Sequence, residues 1–136
     1  MASRINHVGV AVRNLEETLR FFRVVLCLEP SRKAKAPQMK AAFIPVGDGE
    51  IELIEPTDAE SPLAKFIAEK GEGLHHISIQ VSDVERTLAL LRKKGIKTID
   101  EKPRIGLHGV NIAFLDPEST KGILIELCEE SEGGRP

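Results

Sequence analysis

His7 and Glu52 stand 45 residues apart and His76 and Glu126 stand 50 apart, so one imidazole and one carboxylate recur in the same order in both halves of the chain. Two neutral imidazoles and two carboxylates balance one divalent cation, and their nitrogen and oxygen donors suit such an ion. Without it, two carboxylates in one partly buried pocket repel each other and shift their pKa values upward. The pattern therefore predicts a metal centre of His7, Glu52, His76 and Glu126 with one divalent ion per chain. Co, Mn, Zn, Ni and Mg are not separated by sequence, because geometry and availability decide among them. A lone strand histidine is ordinarily structural and a lone strand glutamate ordinarily solvated. The recurrence of both carries the prediction.

The elements that must position these residues repeat as well. His7-Val8-Gly9-Val10-Ala11-Val12 reads as a strand, and the apolar positions Leu15, Leu19, Phe22 and Leu26 read as one helical face. Asn14 with Glu17 forms a capping box that starts the helix. Sixty-nine residues on, His76-Ile77-Ser78-Ile79-Gln80-Val81 is followed by Ser82 with Glu85 as the cap, then by Val84, Leu88 and Leu91. Ala41–Val46 and Glu50–Glu55 are strand-like runs parted by the turn Gly47-Asp48-Gly49, and Val110–Leu115 and Ile123–Cys128 match them. Each half reads strand, helix, then about three strands. Side chains alternate along a strand, so His7 and His76 share faces with small or polar neighbours while the valines and isoleucines pack on the helices. Glu52, between Ile51 and Leu53, and Glu126, between Ile125 and Leu127, likewise point away from the apolar face.

These elements predict one α+β domain over residues 1–130: two tandem βαβββ modules, about 4–56 and 74–129, forming a cupped mixed sheet around the metal. A linker over 57–73 contains a short helix from Leu63 to Lys70, and residues 131–136 are expected to be a disordered tail. At 136 residues a core forms without disulfide or metal staples, which makes any metal functional. A net charge of -2, with five Phe and neither Trp nor Tyr, argues against nucleic acid as a partner. No apolar run reaches membrane-spanning length, and the expected location is the cytoplasm. Cys27 and Cys128 have no metal or redox spacing and are expected to be reduced, half-buried fillers. His75, of opposite parity to His76, is expected to pack, and His108 lies in the Gly-rich loop Ile105–Gly109.

Several segments together resemble the vicinal oxygen chelate superfamily and, within it, the methylmalonyl-CoA epimerases. They are Ile5–Val12, Ile51–Pro56, Ser61–Phe66, Gly71-Glu72-Gly73-Leu74-His75-His76-Ile77, Asp100-Glu101-Lys102-Pro103-Arg104-Ile105-Gly106 and Gly122–Leu127. The third to fifth of these are the more specific to the epimerases. The resemblance covers Arg4 to Glu129 and implies a paired βαβββ fold around a divalent metal, with ligands at His7, Glu52, His76 and Glu126. It also implies interconversion of (2R)- and (2S)-methylmalonyl-CoA, and a homodimer.

That chemistry removes a weakly acidic proton from C2 and places negative charge on the thioester oxygen. Four protein ligands leave two octahedral positions for that oxygen and the substrate carboxylate. Glu126 is the first candidate base. Some relatives carry a Glu at the position aligned with Lys40, so the second proton-transfer group is open among Lys40, a water and Glu52. The sequence also departs from the family at Asp116-Pro117-Glu118 and at Cys27, where Gly commonly stands. Lys102, Arg104 and Lys121 are candidate contacts for CoA phosphates. A glyoxalase-type isomerase and a non-catalytic small-molecule binder of the same fold are the rival readings.

Overall fold

The structure, a computed structural model, describes residues 2–130, and the expected tail over 131–136 lies outside them. In chain order the elements are β1 (Ala2–Ala11), α1 (Leu15–Leu26), β2 (Arg32–Ala36), β3 (Met39–Val46), β4 (Gly49–Pro56), α2 (Pro62–Lys70), β5 (Gly73–Val81), α3 (Val84–Lys93), β6 (Arg104–Ile105), β7 (Asn111–Phe114) and β8 (Ile125–Cys128). The strands follow the hydrogen-bonded order β2-β3-β4-β1-β5-β8-β7-β6. Pairing is mixed, antiparallel for β2–β3, β3–β4, β6–β7 and β7–β8 and parallel for β5–β8. This is the expected α+β fold of two βαβββ repeats. The chain divides into two compact units, one of Val8–His75 and one of the start of the chain up to His7 together with His76 onward.

Within Val8–His75, Asn14 accepts a hydrogen bond from the Glu17 N–H at 3.0 Å and so supplies the predicted cap of α1. Leu15 and Leu19 bury themselves against Val12, Ala42, Ile44 and Leu53. The first helical N–H, that of Leu15, donates to Glu55 Oε1 at 2.6 Å, which ties the start of α1 to the end of β4. The predicted apolar face stops at Phe22, because Leu26 is exposed and Leu28, beyond the helix end, packs on the cluster in its place. The reversal occurs at Cys27, which adopts a left-handed φ of 57°, and the Leu28 N–H returns to the Phe22 carbonyl at 3.0 Å. Cys27 is thus exposed rather than half-buried, while Cys128 is buried. The β3–β4 hairpin turns at Gly47 and Asp48, with Val46 opposite Gly49. Ser61 caps α2 through the Ala64 N–H, and Gly71, at a φ of 81°, ends it.

The other unit repeats this plan with one correction. Asp83, not Ser82, caps α3, accepting from the Arg86 N–H at 3.0 Å. The repeat distance of 69 residues carries Asn14 onto Asp83, so the register of the duplication held this information and the local capping-box pattern misplaced it by one. Val84 and Leu88 pack against Val81, Ala113, Leu115 and Leu127. The Val84 N–H donates to Glu129 Oε2 at 2.9 Å, the counterpart of the Leu15–Glu55 contact. β7 and β8 begin later than the predicted runs, at Asn111 and Ile125. β2 and β6 carry no strong apolar alternation and supply the strands whose positions the sequence left open.

Candidate metal centre

His7 ends the segment of β1 that belongs with His76 onward, His76 and Ser78 lie on β5, and Glu126 lies on β8. Ser78 and Glu126 are register partners of the parallel β5–β8 pair, so their side chains leave the sheet on one face. His7 Nε2 stands 3.1 Å from His76 Nε2 and 3.3 Å from Glu126 Oε1. The Ser78 hydroxyl donates to the same Glu126 oxygen at 2.6 Å. All four residues are buried. A carboxylate withdrawn from water needs donors or a cation, and two imidazole nitrogens facing each other can share at most one proton between them. Two ring nitrogens and one carboxylate oxygen converging in this way are a donor set that fits a divalent metal ion.

Aromatic contacts hold the imidazoles. The ring of His7 meets that of His76 edge-on at 5.2 Å, His108 stacks on His7 at 5.4 Å, and Phe114 meets His76 edge-on at 5.5 Å. His108, from the Gly-rich loop, is therefore a wall of this site. Phe114 opposes Glu126 in the β7–β8 register, and the Arg104 guanidinium lies 5.4 Å from the Phe114 ring centre. Asp100 holds this corner together, accepting from Arg104 Nε at 2.9 Å and from the Phe114 N–H at 2.8 Å. Lys102 and Lys121 are exposed, the latter at a left-handed φ of 62°. Asp116 caps the turn Pro117–Ser119 through the Glu118 N–H.

Glu52 belongs to the other unit, where it is buried on β4 and opposes Phe43 on β3. Phe43 in turn opposes Arg32 on β2, whose guanidinium lies 4.0 Å over its ring. Each unit thus carries a carboxylate, a phenylalanine and an arginine on successive strands. Sequence reasoning missed this because it depends on register between strands far apart in the chain. His75 packs edge-on against Phe66 at 4.7 Å. Burial holds its pKa below the ordinary histidine range, opposed in part by the charge of Glu52.

Lys40 is not suited to proton transfer beside Glu52. It opposes Glu55, with Nζ 3.4 Å from Glu55 Oε2. Ala42 and Ile44, of the same parity as Lys40, pack against α1, whereas the Glu52–Phe43 pair faces the other way.

Residues 6–114 match the Glyoxalase/Bleomycin resistance protein/Dioxygenase superfamily. The chain belongs to this superfamily. That match ends at Phe114, short of Glu126. Among relatives in the superfamily, mitochondrial methylmalonyl-CoA epimerase of Homo sapiens is 35% identical over 127 residues, 91% of this chain and 72% of that protein. The ethylmalonyl-CoA/methylmalonyl-CoA epimerase of Cereibacter sphaeroides is 33% identical over 131 residues, 93% of this chain and 98% of that one. A Streptomyces coelicolor methylmalonyl-CoA epimerase variant in complex with 2-nitronate-propionyl-CoA superposes with a TM-score of 0.91 at 30% identity, covering 100% of this chain and 99% of that one. Among the described residues, no helix is long and apolar enough to cross a membrane.

Proposed function

We propose that the protein is a methylmalonyl-CoA epimerase that interconverts the 2R and 2S thioesters by proton transfer at C2. The observation that carries the reading is the convergence of buried His7, His76 and Glu126 in a chain related over nearly its whole length to such epimerases. His7, His76 and Glu126 hold one divalent ion, and Glu52 is assigned to it as the repeat counterpart of Glu126. When bound, the ion supplies positive charge that stabilises the thioester oxygen as the C2 proton leaves.

The chain's own residues do the remaining work. Glu126 accepts the C2 proton, with the Ser78 hydroxyl holding one of its oxygens in place. Inversion needs a second group to return a proton to the opposite side of the carbon. Lys40 is committed to Glu55, which leaves Glu52 as the side-chain candidate. Arg104, fixed by Asp100 beside Phe114, and the exposed Lys102 and Lys121 are assigned to the anionic groups of the CoA thioester. The reading carries two further assignments, a homodimer and a cytoplasmic location, which sedimentation and cell fractionation test.

The deciding experiment follows deuterium incorporation at C2 of methylmalonyl-CoA in D₂O, with chelator-treated protein and with the same protein resupplied with Co²⁺ or Mn²⁺. Metal-dependent exchange with loss of stereochemical purity is expected, and ethylmalonyl-CoA run in parallel sets the acyl range. Absence of exchange, alongside turnover of methylglyoxal with glutathione, overturns the assignment in favour of a glyoxalase-type isomerase.

A further inference from the structure

Behind His7, on the side away from His76, a chain of buried amides runs into the ring. His7 Nδ1 lies 2.8 Å from Asn6 Oδ1, and Asn6 Nδ2 donates to Gln80 Oε1 at 3.1 Å. Asn6, His7 and Gln80 are all buried, and the Ser3 hydroxyl donates to the Gln80 backbone carbonyl at 3.2 Å, which helps tie the two strands together at this level.

An amide side chain has a donor end and an acceptor end. With its NH₂ directed at Gln80, Asn6 turns its carbonyl oxygen to His7, and a carbonyl oxygen only accepts. The ring nitrogen facing it must therefore carry the proton. A neutral imidazole protonated at Nδ1 keeps its lone pair on Nε2, the atom that stands beside His76 Nε2 and Glu126 Oε1.

We propose that Asn6 and Gln80 are positioning residues that set the His7 ring in the tautomer and orientation that present Nε2 to a metal. The proposal deepens the metal-binding reading of His7 and rests on it. The device belongs to one half of the repeat only. The counterpart of Asn6 is His75, which packs on Phe66, and the counterpart of Gln80 is Ala11, which has no polar side chain.

The test compares the full-length protein with Asn6→Leu, Asn6→Asp and Gln80→Leu. Isothermal titration with Co²⁺ at one fixed pH gives affinity, and ¹⁵N chemical shifts of the histidine rings in metal-free protein give the tautomer. The expected result is a wild-type His7 protonated at Nδ1. Asn6→Leu then weakens Co²⁺ binding about 10- to 100-fold, as loss of an outer hydrogen-bond partner does at metal-bound histidines. Asn6→Asp, whose carboxylate only accepts, stays within about threefold of wild type on the same grounds, and Gln80→Leu falls between the two. Wild-type affinity in Asn6→Leu, or a wild-type His7 protonated at Nε2, overturns the proposal. The ring shifts of wild type and of Asn6→Asp decide it even if the leucine variants do not fold. A wild-type protein that binds no Co²⁺ while keeping the Nδ1 proton instead removes the metal reading and leaves the tautomer assignment standing.

Discussion

Replacing Ser78 by alanine removes one hydroxyl and almost no volume, at a position with no solvent exposure. That hydroxyl donates to Glu126 Oε1 at 2.6 Å, and Glu126 is itself buried. A hydrogen bond to a charged group contributes about 1.5–3 kcal/mol, and the residue left behind cannot recover the loss from water. For metal-free protein we take about 2 kcal/mol as the expected loss, from the same range. Unfolding entropy of about 2.1 cal/mol/K per residue over 136 residues is about 0.29 kcal/mol/K, which turns that loss into a fall in Tm of about 7 °C. Urea unfolding of chelator-treated wild type and Ser78→Ala, followed by far-UV circular dichroism, measures it. The m-value is expected to stay the same, because the unfolded surface is unchanged. With metal bound, the carboxylate has a second source of compensation, and the difference between variant and wild type is expected to shrink. A loss below about 0.5 kcal/mol in metal-free protein would refute the claim that Ser78 stabilises a buried carboxylate.

Three further outcomes are expected. Cys27→Gly, at a left-handed φ of 57° that favours glycine, should stabilise the protein by about 0.5–1 kcal/mol in the same unfolding assay. Asp83→Ala should cost about 1 kcal/mol as the lost cap of α3, whereas Ser82→Ala should change stability by less than about 0.5 kcal/mol, and the reverse order would place the cap at Ser82. Co²⁺ at about 100 times its dissociation constant should stabilise the fold by about 2.7 kcal/mol, a rise in Tm of about 9 °C that chelator reverses, read by scanning calorimetry.

Much of the architecture was legible because it is written locally and twice. The alternation in His7–Val12 and His76–Val81, the cap at Asn14 and the turn at Gly47-Asp48 each depend on a few neighbouring residues. Repetition, at 69 residues for the histidines and 74 for the glutamates, then paired one half with the other and singled out the His and Glu types. Local rules also failed where two neighbours compete for the same role. Ser82 and Asp83 both suit a cap, and the alignment of strand with helix selects Asp83. Leu26 completes an apolar helical face on paper, yet the left-handed reversal at Cys27 hands its place to Leu28.

What lay beyond the sequence is everything set by register between distant strands. Ser78 meets Glu126 across 48 residues, and Asn6 meets Gln80 across 74. No local periodicity encodes either partner, because a shift of one residue between strands sends every side chain to the opposite face. The same register commits Lys40 to Glu55 and sets Arg104 and Arg32 over Phe114 and Phe43. Residue types and their periods thus singled out the side chains proposed to bind a cation. Tertiary structure alone decided which buried donors hold them and which nitrogen of His7 faces His76 and Glu126, because hydrogen bonds are made between atoms that only the folded sheet brings within reach of one another.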